Sequence, residues 1–197
     1  MASILTASFW VSKVGLRAST KLAMDLRTKS QHTFADFSRI LSNATYFDGN
    51  ATKYDWVVNQ GNIINTNSSG GELAMILTQD NGGTRLSSTR YVHYGTITAR
   101  IKTGRWGGVV TAFITMSDIK DEIDWEFPGN QTTQGQSNYF WQGFVPQKTV
   151  GMVHGNLSDT FSNYHDYTVR LPTSHPEGYL TKSCTDRLAA GYPHLAH

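Results

Sequence analysis

The sequence predicts an all-β fold, a sandwich or barrel built from short strands, on three observations. Short apolar runs succeed one another from residue 34 onward. Turn signals such as Asp48-Gly-Asn50, Ser69-Gly-Gly71 and Asn81-Gly-Gly83 separate them. No long stretch carries the 3.6-residue period of an amphipathic helix. Many short strands at this spacing bury their apolar faces by pairing two sheets or by closing one.

Taken in order, residues 1–30 stand apart from that pattern. Lys13, Arg17, Lys21, Arg27 and Lys29 lie among serines and threonines with Asp25 the only acid, the composition of a transit-like or disordered basic leader. A secretory signal needs an apolar run of about 7–15 residues, and residues 4–11 are interrupted by Thr6, Ala7 and Ser8. Residues 31–170 form the expected β domain, with strands over 56–58, 73–78, 89–102, 109–116, 122–127, 138–144, 150–153 and 164–169. Residues 171–197 read as an atypical tail: alternation stops, Pro172, Pro176 and Pro193 would each remove a ladder donor, and the lone cysteine, Cys184, allows no intramolecular disulfide.

Composition narrows the partners. A net charge of +2 with only 16% charged residues is not the footprint of a nucleic-acid binder and suits a neutral polymer such as a polysaccharide. No run approaches the roughly 18 consecutive apolar residues of a membrane span.

The chemistry concentrates in Asp121-Glu-Ile-Asp-Trp-Glu-Phe-Pro-Gly129. On a strand successive side chains alternate in direction, so Glu122, Asp124 and Glu126 share one face and Ile123, Trp125 and Phe127 the other. The chain has only four glutamates, and two of them stand in this window. Carboxylates two residues apart on one face repel, so at least one must hold its proton above the ordinary range, which is what an acid catalyst needs. Retaining glycoside hydrolysis uses such a pair, one carboxyl as nucleophile and one as general acid/base, about 5–5.5 Å apart. Residues four apart on a strand lie about 13 Å apart, so the glutamates must lean inward over a concave sheet, with the shorter Asp124 between them regulating one proton. A calcium site or a solvated acidic face would use the same residue types. Calcium loops, however, set their ligands on a turning backbone with glycine, whereas this run alternates as a strand.

Flat aromatic rings complete a sugar site, because the C–H faces of a pyranose pack on them. Trp141 is the first candidate, with Tyr139 on the same face of the strand after the acidic one, and Trp106 in a glycine-rich turn between strands; each could equally be core. His165 reads as a structural hydrogen-bonding histidine, and His93 and His154 have no spacing that suggests a metal site.

The acidic strand matches the active-site signature of glycoside hydrolase family 16, and its surroundings resemble the fungal cell-wall, Crh-like branch of glucan and chitin transglycosylases. The resemblance runs over residues 33–169, through Tyr94-Gly-Thr-Ile-Thr-Ala-Arg-Ile-Lys102, Gly108-Val-Val-Thr-Ala-Phe-Ile-Thr-Met-Ser-Asp118, Ser137-Asn-Tyr-Phe-Trp-Gln-Gly143 and Tyr164-His-Asp-Tyr167. It implies a concanavalin-like β-jelly-roll sandwich with a carbohydrate cleft on its concave face, incomplete here because family members continue with further strands where residue 170 begins a different pattern. It implies Glu122 as nucleophile, Asp124 as its assisting acid and Glu126 as general acid/base, working without cofactor or metal. The implied substrate is β-linked cell-wall polysaccharide, β-glucan or chitin, handled by a monomer in the extracellular space or cell wall. Asn-x-Ser/Thr sequons at Asn43, Asn50, Asn67, Asn130 and Asn156 agree with a secreted glycoprotein. The rival reading is a non-catalytic glycan-binding module that keeps the cleft without turnover.

Overall fold

The computed structural model describes the backbone of residues 3–5 and 9–12 and the whole of residues 30–42, 52–66, 72–92, 94–145 and 151–171. Among them every regular element is a strand: β1 (Ser3–Leu5), β2 (Phe9–Ser12), β3 (Ile40–Leu41), β4 (Trp56–Gln60), β5 (Asn62–Asn65), β6 (Leu73–Leu77), β7 (Arg85–Ser88), β8 (Gly95–Ile101), β9 (Val110–Met116), β10 (Glu122–Pro128), β11 (Gly135–Phe140), β12 (Met152–His154) and β13 (His165–Leu171). They build an eight-stranded sheet in the order β12-β11-β10-β9-β2-β7-β4-β3, a three-stranded sheet β1-β6-β5 and a two-stranded sheet β13-β8. The all-β expectation holds, and none of the sheets closes on itself.

The acidic strand sits inside the large sheet as β10, paired antiparallel with β9 on one side and β11 on the other. Its apolar face makes the core. Ile123, Trp125 and Phe127 are all buried, and Trp125 and Phe127 meet Tyr167 of the two-stranded sheet at ring distances of 5.5 and 4.4 Å. The Trp125 indole N–H reaches the Thr168 carbonyl at 3.5 Å, a long contact that still gives the buried ring's polar atom a partner. Burial of each such side chain is worth about 1.5–3 kcal/mol, so this face of β10 fastens the two layers together.

Neighbouring strands complement those rings by being small. Gly135 lies so close that a Cβ there would stand 2.6 Å from the Phe127 ring. Ser137, opposite Trp125, is fully buried, and its hydroxyl pairs with His154 at 2.7 Å while the His154 ring packs 4.7 Å from Trp125. His165 is likewise structural, with Nε2 3.1 Å from the Ser158 hydroxyl; His93 lies outside the described residues.

The far end of the large sheet is held by charge. Asp55 accepts from Arg39 Nε at 2.5 Å and Nη2 at 2.8 Å and also pairs with Arg90, and these contacts, Arg39 foremost, hold its carboxyl well below the usual carboxylate range.

Several boundaries differ from the sequence reading. The strand expected over 89–102 begins only at Gly95, while Arg85–Ser88, with one large apolar residue, is a strand that alternation alone does not mark. The strand expected at 138–144 starts three residues earlier and ends at Phe140. The segment read as a basic leader contributes β1 and β2, and β2 lies parallel between β7 and β9, joining the two halves of the large sheet. Of the expected turns, Asn81 is explicit: its Oδ1 accepts from the Thr78 and Gly83 amides at 2.8 and 2.9 Å. The turns at 48–50 and 69–71 and the tail from 172 onward lie outside the described residues.

Candidate active site

Register on β10 decides what stands beside the three carboxylates. Residues directly opposite across an antiparallel ladder point to the same face. Glu122 is opposite Phe140 and Met116, Asp124 opposite Asn138 and Ile114, and Glu126 opposite Gln136 and Ala112. The carboxylates therefore run down the middle of a face whose β11 side carries two amides and whose β9 side is apolar. Pro128 and Val110 continue this face past Glu126, and Val110 is half exposed.

The acids are not equivalent. Asp124 is buried at 3% exposure, between the half-buried Glu122 and Glu126. Glu122 holds its proton up to about 7, chiefly because burial penalises its charge and then because the charges of Asp124 and Glu126 oppose it. The three carboxylates thus lie within electrostatic reach of one another, and the rise expected from their spacing falls on Glu122. An acidic strand bathed in water would lack the burial that dominates this shift. Among the described residues no group of His, Cys, Asp and Glu is arranged to hold a metal ion.

The aromatic candidates divide. Tyr139 is opposite Ile123, so its side chain leaves the sheet on the side away from the carboxylates, at the sheet's end where it stays partly exposed. The sugar platform expected of it on a face shared with Trp141 is corrected by this register, which puts Tyr139 on the face of Ile123. The sequence reading missed Gln136, Asn138 and Phe140, which stand opposite the three acids on the carboxylate face. Their signal was available: counting back from Phe140 by twos reaches both amides.

Trp141 lies just past β11 in a tight turn closed by the Phe144 amide donating to the Trp141 carbonyl at 2.8 Å. Gln142 and Gly143 both have positive φ, 48° and 72°, as a type I′ turn requires. The Gln142 amide donates to Asp121 Oδ1 at 2.9 Å and the Gly143 amide to the Lys120 carbonyl at 2.9 Å, which pins the turn beside the Glu122 end of β10. Trp141 is exposed there. Trp106 stands at the opposite end: its amide donates to the Gly129 carbonyl at 2.9 Å, directly after β10. It too is exposed.

This arrangement can be set beside known proteins. The model of the family described as glycosyl hydrolases family 16 matches residues 50–174. Crh-like protein 3 of Botryotinia fuckeliana is 38% identical over 140 residues, covering 71% of this chain and 30% of that protein. Congo red hypersensitive protein 2 of Saccharomyces cerevisiae is 39% identical over 140 residues, covering 71% of this chain and 29% of its own length. Among solved structures, one of Crh5 transglycosylase in complex with NAG is similar with a TM-score of 0.53 at 28% identity, over 59% of this chain and 46% of that one. The chain spans about 30% of the length of the curated relatives it matches. With a buried acidic strand at the centre of a sheet and a family match across most of its described residues, the chain belongs to glycosyl hydrolases family 16.

Proposed function

We propose that this chain carries the catalytic centre of a retaining glycosidase or transglycosylase acting on β-linked cell-wall polysaccharide, β-glucan or chitin. One observation carries the reading: three carboxylates share one face of a central strand, and burial with mutual repulsion keeps a proton on the cluster up to about pH 7.

In the first step a Glu122 carboxylate oxygen bonds to the anomeric carbon as the glycosidic C–O bond breaks, and Glu126 gives its proton to the departing oxygen. The result is a glycosyl ester on Glu122. Glu126, now a base, takes the proton of a water or of an acceptor sugar hydroxyl, whose oxygen displaces Glu122 from the anomeric carbon. No cofactor enters. The rise at Glu122 keeps a proton within the cluster, and attack needs that proton delivered from Glu126. In a coupled cluster the proton belongs to the group as a whole, and a substrate oxygen hydrogen-bonded to Glu126 draws it across. The charge of Asp124, buried between the two, opposes ionisation of Glu122 until that transfer occurs. Gln136 and Asn138 offer amide donors and acceptors to the sugar hydroxyls, and Trp141 a flat ring at the Glu122 end.

Relatives named as Crh-like proteins and a neighbour named as a transglycosylase in complex with NAG support this substrate class, and with it an extracellular or cell-wall site of action. The exposed sequons at Asn130 and Asn156 agree with a secreted glycoprotein. Residues 31–170 would be the catalytic unit, acting as a monomer. Incubation with defined β-glucan and chitin oligomers, with products read by mass spectrometry, tests the reading. Shortened products mean hydrolysis and lengthened ones mean transfer, while oligomers bound but returned unchanged mean a glycan-binding module.

A further inference from the structure

Glu122 and Glu126 leave the same face of β10, yet the sheet gives them different neighbours. Directly opposite Glu126 stand Ala112 on β9 and Gln136 on β11, a methyl group and an amide; directly opposite Glu122 stand Met116 on β9 and Phe140 on β11. Side chains that face each other across an antiparallel ladder have Cβ atoms about 4.5–5.5 Å apart, so Glu122 stands between a thioether and a phenyl ring with nothing interposed on either side. The face assignment has a check on each strand. Thr115, one residue before Met116, is buried opposite Ile123, and Ser137, three before Phe140, is buried opposite Trp125. An odd number of steps along a strand changes face, which puts Met116 and Phe140 on the side of the acids.

Both flanking side chains are half-buried, as is Glu122 itself. Core packing does not account for them, because the core lies on the other face with Ile123, Trp125 and Phe127. What they do is replace water beside a carboxyl with groups that cannot hydrogen-bond to its charge, which favours the protonated form. Burial is the first cause of the rise at Glu122, ahead of the charges of Asp124 and Glu126. On this face β9 and β11 place no charged side chain opposite β10. The turn before β10 carries Asp118, Lys120 and Asp121. Asp118 accepts from the Tyr91 hydroxyl at 3.1 and 3.0 Å, Asp121 Oδ1 accepts from the Gln142 amide at 2.9 Å, and Lys120 lies against Gly143, where a Cβ would stand 3.3 Å from its Cδ. Among the described residues this leaves the two flanks and the two neighbouring acids to set the state of Glu122.

Resting on the glycan reading above, we propose that Met116 and Phe140 are positioning residues of the carboxylate cluster: covering Glu122 from both sides, they exclude the water that would stabilise its charge, and so keep one proton in the cluster for delivery through Glu126 at neutral pH. The two act through Glu122 and need not touch the sugar. Their asymmetry is the point of the arrangement, since the same cover around Glu126 would hold back the proton that the departing oxygen must receive.

Titration of the carboxyls by NMR tests this without any substrate. The chain has only four glutamates, so the full chain isotopically labelled at the glutamate side-chain carboxyl gives few enough signals to assign, Glu122 by its loss in Glu122→Gln. In the parent the Glu122 signal should titrate with a midpoint near 7. In Phe140→Ala or Met116→Ala that midpoint should fall to about 6, while Phe140→Leu and Met116→Leu, which keep the apolar cover, should retain most of the rise. Glu72, bonded by the Thr66 hydroxyl at 3.1 Å beside the three-stranded sheet, is the control for folding, and its midpoint should not move. The alkaline limb of kcat/KM should descend with the Glu122 midpoint in the alanine variants. Midpoints that coincide in the parent and both alanine variants overturn the proposal, even where those variants turn over poorly, because loss of a sugar contact leaves the titration in place. A parent near 7 with alanine variants near 6, but no product from any oligomer, leaves the flanks standing and overturns the glycan reading.

Discussion

On one face of β10, Ile123, Trp125 and Phe127 are sealed beneath Tyr167; on the other, one strand's thickness away, Glu122, Asp124 and Glu126 crowd like charges into a partly buried row. The first face lowers the free energy of the fold and the second raises it as pH climbs above about 4.5. The same seven residues thus do opposed work, and the apolar face lets the acidic one be held rigidly where repulsion would otherwise spread it. Substitutions on the two faces should therefore separate activity from stability.

The largest effect is expected on the acidic face. Glu122→Gln or Glu126→Gln should lower turnover at least about a thousandfold, roughly 4 kcal/mol of barrier, with thermal unfolding still cooperative. Turnover within tenfold of the parent for Glu122→Gln would remove it as nucleophile. Next comes Trp125→Ala, which takes the largest ring from the core and should destabilise by about 3–5 kcal/mol. Denaturant titration reads this, and a loss below 1 kcal/mol would show that the layers are joined elsewhere. Asp124→Asn keeps the volume and removes one negative charge from the cluster, so turnover should slow about ten- to a hundredfold. In the same variant the alkaline limb of kcat/KM should move to lower pH, because less repulsion holds the Glu122 proton.

How much of this was legible in the sequence follows from the size of the side chains. β10 could be read directly because large apolar residues alternate with acids. Its neighbour β11 could not, because Trp125 and Phe127 already fill the space beside it and force Gly135 and Ser137 to be small at its buried positions. Hydrophobic alternation is thereby lost on β11: its large residues, Tyr139 and Phe140, are adjacent at the sheet's end on opposite faces, and the exposed Tyr139 drew attention to the wrong one. Arg85–Ser88 escaped notice for a related reason, since it buries a serine beside Leu86. Trp141 and Trp106 lie in turns, where period-two counting says nothing about direction. Their places come from backbone hydrogen bonds to Asp121 and Gly129 that no local pattern announces.

A smaller effect sharpens the contrast between the faces through pH. Because the folded protein raises the Glu122 pKa from 4.5 to about 7, the native state binds this proton more tightly than the unfolded chain, and stability from this group falls as pH rises from 4.5 through 7. Glu122→Gln removes that penalty. For a half-exposed group screened by solvent it is on the order of 1 kcal/mol, so the variant should melt about 2–4 °C above the parent at pH 8 and level with it at pH 4. Equal melting temperatures at both pH values would mean that Glu122 is not held against its charge.

Proton NMR of the first sugar released from a defined β-linked oligomer tests the central claim most directly, namely that the acidic face of β10 performs double displacement through Glu122. Two inversions at the anomeric carbon return the starting configuration, so the β-anomer should appear first and mutarotate to the α-anomer only afterward. An α-anomer formed first would mean that water attacks directly, and Glu122 could not be the nucleophile.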